Sequence, residues 1–492
     1  MDLMALIPFV AYFILVILIG VFSSGFSSKG ISEFFIGGRK MNLFVVALSA
    51  VVSGRSAWLL LGFTGQSYTM GLSAIWAVVG YIIVEFFLFL YYAPRLRKFA
   101  EKHNCITIPD FFAARFKDKS GSLRILIATI FLIFMITYVG AQFVGGGKAF
   151  LAYFDLRHST GLVITASIVL IYTILGGFLA VSYTDVLQAI VMIVALIGLP
   201  VYGIIQKGGM GEISSQLSSI ESSFFNPVAF GFGSLIGLLG IGLGSPGNPH
   251  ILIRYMSIKN YKQLKWTAII GTAWNILLAG GAFMIGIVAR AYFPELQMLP
   301  DQDPENAYIS LANELLPTAL VGILLASIFA AIMSTADSQL LVAASSVVRD
   351  IYQKVLNKDR YMDQERLAML SRFVVAVLVY LAVMMAFIVE DIVFWFVLFA
   401  WAGLGAAIGP ASIQALYRKR TTKAGVMAGM IAGTLTVFIW KTSAVLSERI
   451  YELIPGFIAG WIFTYWGSEL EHFLKRKGKT KKNKNRKKQE SG

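Results

Sequence analysis

Uncharged or nearly uncharged runs recur along the whole of this 492-residue chain. Each is about as long as the twenty or so residues a helix needs to cross the hydrocarbon core of a bilayer. They lie near residues 4–24, 42–70, 75–93, 124–154, 160–181, 184–206, 227–249, 267–293, 314–347, 371–389, 391–416, 424–442 and 450–468. Length alone suggests three soluble domains at roughly 150 residues each, but these runs leave no room for one. Apolar residues make up 57% and charged residues 14% of the chain, against about half and a quarter in soluble proteins. The expectation is an all-α polytopic membrane protein with about thirteen transmembrane helices, residues 1–470 forming the membrane domain and 471–492 a basic, unstructured tail. The first run, from Met4 to about Ser24, has neither a basic leader nor a small-residue cleavage site, so it reads as a retained span.

The net charge of +15 raises the question of nucleic acid, and its placement answers it. With loops assigned alternately to the two sides, one side carries 35 Lys and Arg and the other 5, while Arg55 and Lys148 fall inside spans. Basic residues collect in cytoplasmic loops, which predicts a cell-membrane protein with its N-terminus outside and its C-terminus inside. The basic tail Lys475 to Lys488 then faces anionic lipid rather than nucleic acid. The single Cys105 excludes a disulfide framework, and His103, His158, His250 and His472 lack metal-ligand spacing. No nucleophile and base pair emerges, so an enzyme is not expected.

Charges inside spans cost about 2.5–3.5 kcal/mol each on insertion scales and default to functional candidates. Arg55, Glu85, Lys148, Asp185 and Asp337 qualify; Lys148 and Asp185, near span ends, also suit snorkelling. Two spans resist a continuous helix. The second contains Ser53-Gly54-Arg55-Ser56, and the seventh holds Gly240, Gly242, Gly244, Pro246, Gly247 and Pro249 within ten residues. Spans 2–6 (about 42–206) and 7–11 (about 227–416) make two groups of five, each opened by an interrupted segment, as in inverted repeats with a midplane site. The run Ala331-Ile-Met-Ser334-Thr335-Ala-Asp337-Ser338 adds hydroxyls and a carboxylate, the hard oxygen ligands an alkali cation requires.

Seven motifs in order carry a resemblance over essentially the whole hydrophobic chain. They are Phe35-Ile-Gly-Gly-Arg39, Thr107-Ile-Pro-Asp-Phe-Phe112, Leu175-Gly-Gly-Phe-Leu-Ala-Val-Ser-Tyr-Thr-Asp185, Asn248-Pro-His-Ile-Leu252, Ala331 to Leu341, Ala400-Trp-Ala-Gly-Leu-Gly-Ala-Ala-Ile-Gly-Pro410 and Ile454-Pro-Gly-Phe457. The chain resembles the sodium/solute symporter family, in particular its sodium/proline branch. The resemblance implies the LeuT-type fold, a 5+5 inverted-repeat core working by alternating access. It also implies a sodium site made by the carbonyls of Val52, Arg55 and Ala331 and the hydroxyls of Ser334 and Thr335, with Asp185 linked to sodium use; Asp337 joins the ion candidates from its place in the hydroxyl run alone. Solute contacts carried over in the same way are Ser56, Trp58, Tyr138 and Pro249, with Ile241 and Ser245 standing where the proline branch has a Trp and a Tyr.

The chain departs from that pattern at Gly54 and Arg55, where proline-transporting members resemble Ser-Asp-Met-Ser-Gly-Trp. A carboxylate is missing and a permanent cation stands beside its position. Two arrangements follow. Either the guanidinium occupies the cation site, giving a sodium-independent or proton-coupled carrier in which Glu85 or Asp337 titrates, or the side chain turns toward Glu85 or a solute carboxylate and leaves only its carbonyl to the ion. The leading expectation is sodium-coupled symport of a small organic solute, proline-like, another amino acid or a small carboxylate. The partners are then that solute, Na+ or H+, and the lipid bilayer, with no cofactor beyond the coupling ion.

Overall fold

The computed structural model describes residues 3–27, 29–358, 360, 362–388 and 393–490. Among them the chain is helical, with no β-strand. The principal helices are α1 (Leu3–Ser27), α2 (Leu43–Val52), α3 (Ile75–Phe87), α4 (Ser122–Phe154), α5 (His158–Gln206), α6 (Gly231–Gly240), α7 (Pro249–Ser257), α8 (Leu264–Tyr292), α9 (Thr318–Ser345), α10 (Gln364–Ile388), α11 (Val393–Tyr417), α12 (Lys423–Thr442) and α13 (Leu453–Glu490).

Nine helices among the described residues are both long and apolar enough to cross a bilayer, fewer than the thirteen runs read from the sequence. The difference lies at breaks and fusions. The runs 160–181 and 184–206 form one helix, α5, bent where Gly177 takes φ 57°, ψ −160°, a conformation only glycine adopts readily. Run 42–70 is interrupted, its first part forming the short apolar helix Leu43–Val52 and the rest joining run 75–93 in Trp58–Lys102; run 227–249 leaves the short piece Gly231–Gly247, and run 450–468, in α13, is not among the nine. The basic tail, expected to be unstructured, continues α13 as helix to Glu490, in keeping with the good helix propensity of Lys, Arg and Gln.

Burial orders the bundle. In α9 and α11, 83% and 89% of the most apolar window is buried, against 33% in α1 and α12. The first two therefore form the centre, and the others present apolar side chains to lipid. A helix apolar on all sides suits either place, so only packing separates them.

Ionic clusters mark the two ends of α4. At its start Arg124 pairs with Asp110 at 2.7 Å and with Asp350. Near its end Lys148 binds Asp303 at 2.7 Å and Glu305 at 2.5 Å. Lys148 does not snorkel to solvent; it clasps the loop before α9. The Glu305 carboxylate in turn accepts the N–H groups of Val393 and Phe394 at 3.1 and 2.8 Å, capping the start of α11. At about 1.5 Å per residue, Arg124 and Lys148 stand roughly 36 Å apart, about one bilayer.

Cys105 lies in the turn after the helix Ala93–Lys102, on the side of the Arg124 cluster, and is buried. Burial, with Asp110 adding to it, pushes its thiol up to about 12, and the thiolate is the reactive form. Maleimide at neutral pH is expected to label the folded protein far more slowly than the detergent-denatured chain. Equal labelling rates by mass spectrometry would contradict this packing.

Candidate functional site

The two interrupted segments face each other in the core. At the first, α2 ends at Val52 and the chain is non-helical over 53–56, so carbonyls and N–H groups lose intrahelical partners. Apolar surroundings make that costly unless others replace them. The replacements come from the bundle: Ser334 Oγ donates to Val52 O at 3.3 Å, Thr335 Oγ1 donates to Ser53 O at 2.9 Å, and Ala57 N–H donates to Gln142 Oε1 at 2.9 Å. At the second, a 3-10 turn, Ile241–Gly247, joins α6 to α7, with Pro249 at the first position of α7. Here Ile241 O accepts Trp401 Nε1–H at 2.8 Å, and Gly244 O accepts the Asn248 amide at 2.9 Å. Gly244 is required for closeness, since a Cβ there would overlap the Trp401 indole.

Across the first break, Ser334 Oγ lies between Val52 O and Ala331 O, at 3.3 and 3.0 Å, and the Thr335 hydroxyl of the same turn meets Ser53 O. All five residues are buried. Carbonyls and hydroxyls are hard, neutral oxygen donors, a set that suits an alkali cation. What Arg55 brings to this group is its backbone N–H, which donates to Val52 O at 2.9 Å.

The Arg55 side chain turns the other way. Nη2 meets Glu85 Oε2 at 2.5 Å, Nε donates to Asn275 Oδ1 at 2.8 Å, Nη1 donates to Gly54 O at 3.0 Å, and the guanidinium lies 3.8 Å over the Tyr81 ring. Of the two side-chain directions left open by the sequence, the structure shows the one toward Glu85.

Asp185 and Asp337, expected near the ion, form a separate cluster one turn along α9. Asp185 Oδ2 accepts Arg254 Nη2–H at 2.8 Å and Ser49 Oγ–H at 2.5 Å. Arg254 also reaches Ser338 Oγ at 2.5 Å and His250 O at 2.6 Å. Asp337 accepts the Tyr172 hydroxyl at 2.6 Å and lies 2.9 Å from Ser338 Oγ. Ser338 Oγ donates to Ser334 O at 2.7 Å and so joins the two clusters. Two expectations change here. Arg254 is not in a cytoplasmic loop but buried in α7, because pairing with Asp185 offsets its desolvation. Asp185 is not at a span end but inside α5 and buried.

Beside the first cluster is a cavity of about 10 Å³ lined by Gly54, Arg55, Trp58, Tyr81, Tyr138, Ile241, Val397, Leu398 and Trp401. Of the predicted solute residues, Trp58, Tyr138 and Ile241 line it. Ser245 Oγ instead donates to Glu85 Oε1 at 3.2 Å, Ser56 Oγ accepts Trp58 N–H at 3.1 Å, and Pro249 starts α7 without lining the cavity. Ile241 and Leu398 also border a larger vestibule of about 160 Å³ reaching Arg449 and Tyr451, and so divide the two spaces. Sequence reasoning missed Trp401, Tyr81, Asn275, Ser49 and Tyr172. Trp401 was visible inside a quoted motif, whereas Asn275 and Ser49 carry no local signal.

The sequence pattern of the sodium:solute symporter family matches residues 34–433. The high-affinity proline transporter PutP of Bacillus subtilis (strain 168) is 39% identical over 458 residues, covering 92% of this chain and 95% of that protein. A sodium/proline symporter of Staphylococcus aureus (strain USA300 / TCH1516) is 36% identical over 467 residues, covering 93% and 91%. Among solved structures, a Na+-coupled sialic acid symporter in a substrate-bound outward-open state superposes with TM-score 0.80 at 19% identity, covering 95% of this chain and 98% of that one.

Removing one partner of a buried ion pair leaves the other charge stranded, at about 3–5 kcal/mol. Arg254→Met is therefore expected to lower the thermal midpoint of the purified protein clearly, and Arg254→Met with Asp185→Asn to recover much of the loss. An unchanged midpoint in the single variant, followed by scanning fluorimetry, would show that the pair contributes little.

Proposed function

Because this chain belongs to the sodium:solute symporter family, it is a multi-pass membrane protein that couples transport of a small organic solute to sodium, and we propose that the coupling ion sits between the first break and α9. The observation that carries this is the pair of adjacent hydroxyls on α9 turned to carbonyls of the break, Ser334 to Val52 O and Thr335 to Ser53 O, with Ala331 O of α9 also meeting Ser334. An ion there replaces the hydroxyl-to-carbonyl hydrogen bonds and draws the broken segment against α9. Because the break and α9 belong to different repeats, that closure changes which side of the bundle is open. Engagement of the Arg55 side chain by Glu85 and Asn275 leaves these oxygens to an exchangeable ion and disfavours the sodium-independent reading. Asp185 and Asp337 serve the ion indirectly, holding Ser338 and through it the α9 turn that carries Ser334.

The solute enters through the vestibule and meets Trp58, Tyr138 and Trp401 once Ile241 and Leu398 part. We assign it to the small amino acids or carboxylates. Proline is what the two bacterial relatives carry by name, and Ile241 in the cavity wall reshapes the pocket that would hold it here. The uneven distribution of Lys and Arg, 34 to 5 once the buried Arg254 is left out, supports an orientation with the Arg124 end of α4 and the C-terminus in the cytoplasm and the Lys148 end and the N-terminus outside.

In proteoliposomes, an inward sodium gradient is expected to drive saturable uptake of at least one labelled small amino acid or carboxylate, L-proline included in the panel. Uptake that is equal in choline and sodium across the panel overturns the coupling. Hydrogen bonds to charged groups contribute about 1.5–3 kcal/mol, so Thr335→Ala is expected to raise the half-saturating sodium concentration roughly ten- to a hundredfold. Thr335→Ser is expected to stay close to wild type. An unaltered sodium response in Thr335→Ala would move the ion elsewhere.

A further inference from the structure

Arg55 stands at the meeting of four helical segments. It belongs to the first break; Tyr81 and Glu85 belong to α3; Ser245 belongs to the 3-10 turn of the second break; Asn275 belongs to α8. All five side chains are almost wholly buried, Arg55 at 1% and Glu85 at 3% exposure.

The bonding is closed on itself. Glu85 Oε2 takes Arg55 Nη2–H and the Asn275 amide at 2.5 and 2.8 Å, Glu85 Oε1 takes the Ser245 hydroxyl at 3.2 Å, and Asn275 Oδ1 takes Arg55 Nε–H at 2.8 Å. An amide is suited to this place because it accepts from a guanidinium with one end and donates to a carboxylate with the other. One positive and one negative charge cancel, so the cluster needs no further counter-ion. Its guanidinium makes no hydrogen bond to Ser334 or Thr335 among the described contacts; their hydroxyls go to the carbonyls of Val52 and Ser53.

We infer that the Arg55 guanidinium is a permanently resident cation that ties both broken segments, α3 and α8 into one moving body, leaving the exchangeable ion to the separate Val52, Ala331, Ser334 and Thr335 site. Arg55 is thus a positioning residue for transport. A sodium ion in its place would come and go with each cycle; a guanidinium cannot leave and stays charged at every working pH. The tie between the two breaks therefore persists whether or not sodium is bound. Closure of the first break on α9 then carries the second break with it, and the solute cavity, bordered by Gly54 and Arg55 on one side and Ile241 on the other, changes as a unit. Gly54 fits this arrangement: its carbonyl accepts Arg55 Nη1–H, and a carboxylate at that position would compete with Glu85 for the same guanidinium.

The inference rests on the sodium-coupled reading above, and the test separates the two. Wild type, Arg55→Met, Arg55→Met with Glu85→Met, and Arg55→Lys are purified and checked for monodispersity. Sodium binding is read from sodium-dependent thermal shift and turnover from solute uptake in proteoliposomes. Failure of the wild type to respond to sodium sinks the function and leaves this inference without a premise. With a responding wild type, Arg55→Met strands Glu85 and is expected to lose uptake by about tenfold or more. The paired variant is expected to keep its half-saturating sodium concentration within about threefold of wild type, under 1 kcal/mol, while its maximal uptake stays low. A paired variant that is folded and transports at the wild-type rate refutes the tie. One that is folded but has lost its sodium response refutes the separation of the two cation sites. Should the paired variant not fold, Arg55→Lys decides: it keeps the charge beside Glu85 without the guanidinium's fork, and is expected to retain the sodium response with maximal uptake reduced at least threefold or so. Wild-type uptake by Arg55→Lys overturns the tie to Asn275.

Discussion

Two helices stop inside an apolar bundle, and every backbone group they release must find a partner away from water. That constraint organises the rest of the core. Val52 and Ser53 carbonyls go to hydroxyls of α9, the Ala57 N–H to Gln142, the Ile241 carbonyl to Trp401, and the Gly244 carbonyl to the Asn248 amide. Those partners come from α4, α9, α11 and the start of α7. The breaks therefore hold the bundle together as well as interrupting it.

Buried charge is handled in two ways. Arg55 and Glu85, and Arg254 and Asp185, are opposite pairs whose remaining donors and acceptors are largely met by Ser245, Asn275, Ser49 and Ser338. Such pairs contribute less to stability than their Coulomb attraction suggests, because both partners were desolvated. What they supply is geometry: each spans several helices and permits few alternative packings. Between them lies the set of neutral oxygens around Ser334, where no resident charge stands. Buried cations, each paired with a carboxylate, thus stand on either side of a group of neutral donors.

At the rims the charges do different work. Lys148, Asp303 and Glu305 pin the loop before α9 to the start of α11, and Arg124, Asp110 and Asp350 tie the opposite end. Both clusters involve α4, which links the two surfaces. The broken segments, α9 and α11 thus lie between two ionically fastened ends.

The sequence by itself determined the class of molecule. Its apolar runs, the uneven distribution of Lys and Arg, the two helix-breaking segments opening two groups of five, and the hydroxyl run at Ser334 and Thr335 are local patterns, and local patterns survive in one dimension. It also showed that Arg55 and Glu85 need partners, because any charge in an apolar span does. Which partners was decided by the tertiary structure alone. Arg254 looked like a loop residue until α7 was seen to bury it against Asp185; Lys148 looked free to snorkel until the loop at Asp303 folded over it. Asn275, Ser49 and Tyr172 are ordinary polar residues in their own helices and acquire roles only from what faces them. The number of spans was blurred for a related reason: a bend at Gly177 or an interrupted helix at Ser53 is a matter of backbone geometry within the bundle, and hydropathy does not register it. Composition and period fix what each segment can be, whereas the pairing of buried charges depends on distances between segments far apart in the chain.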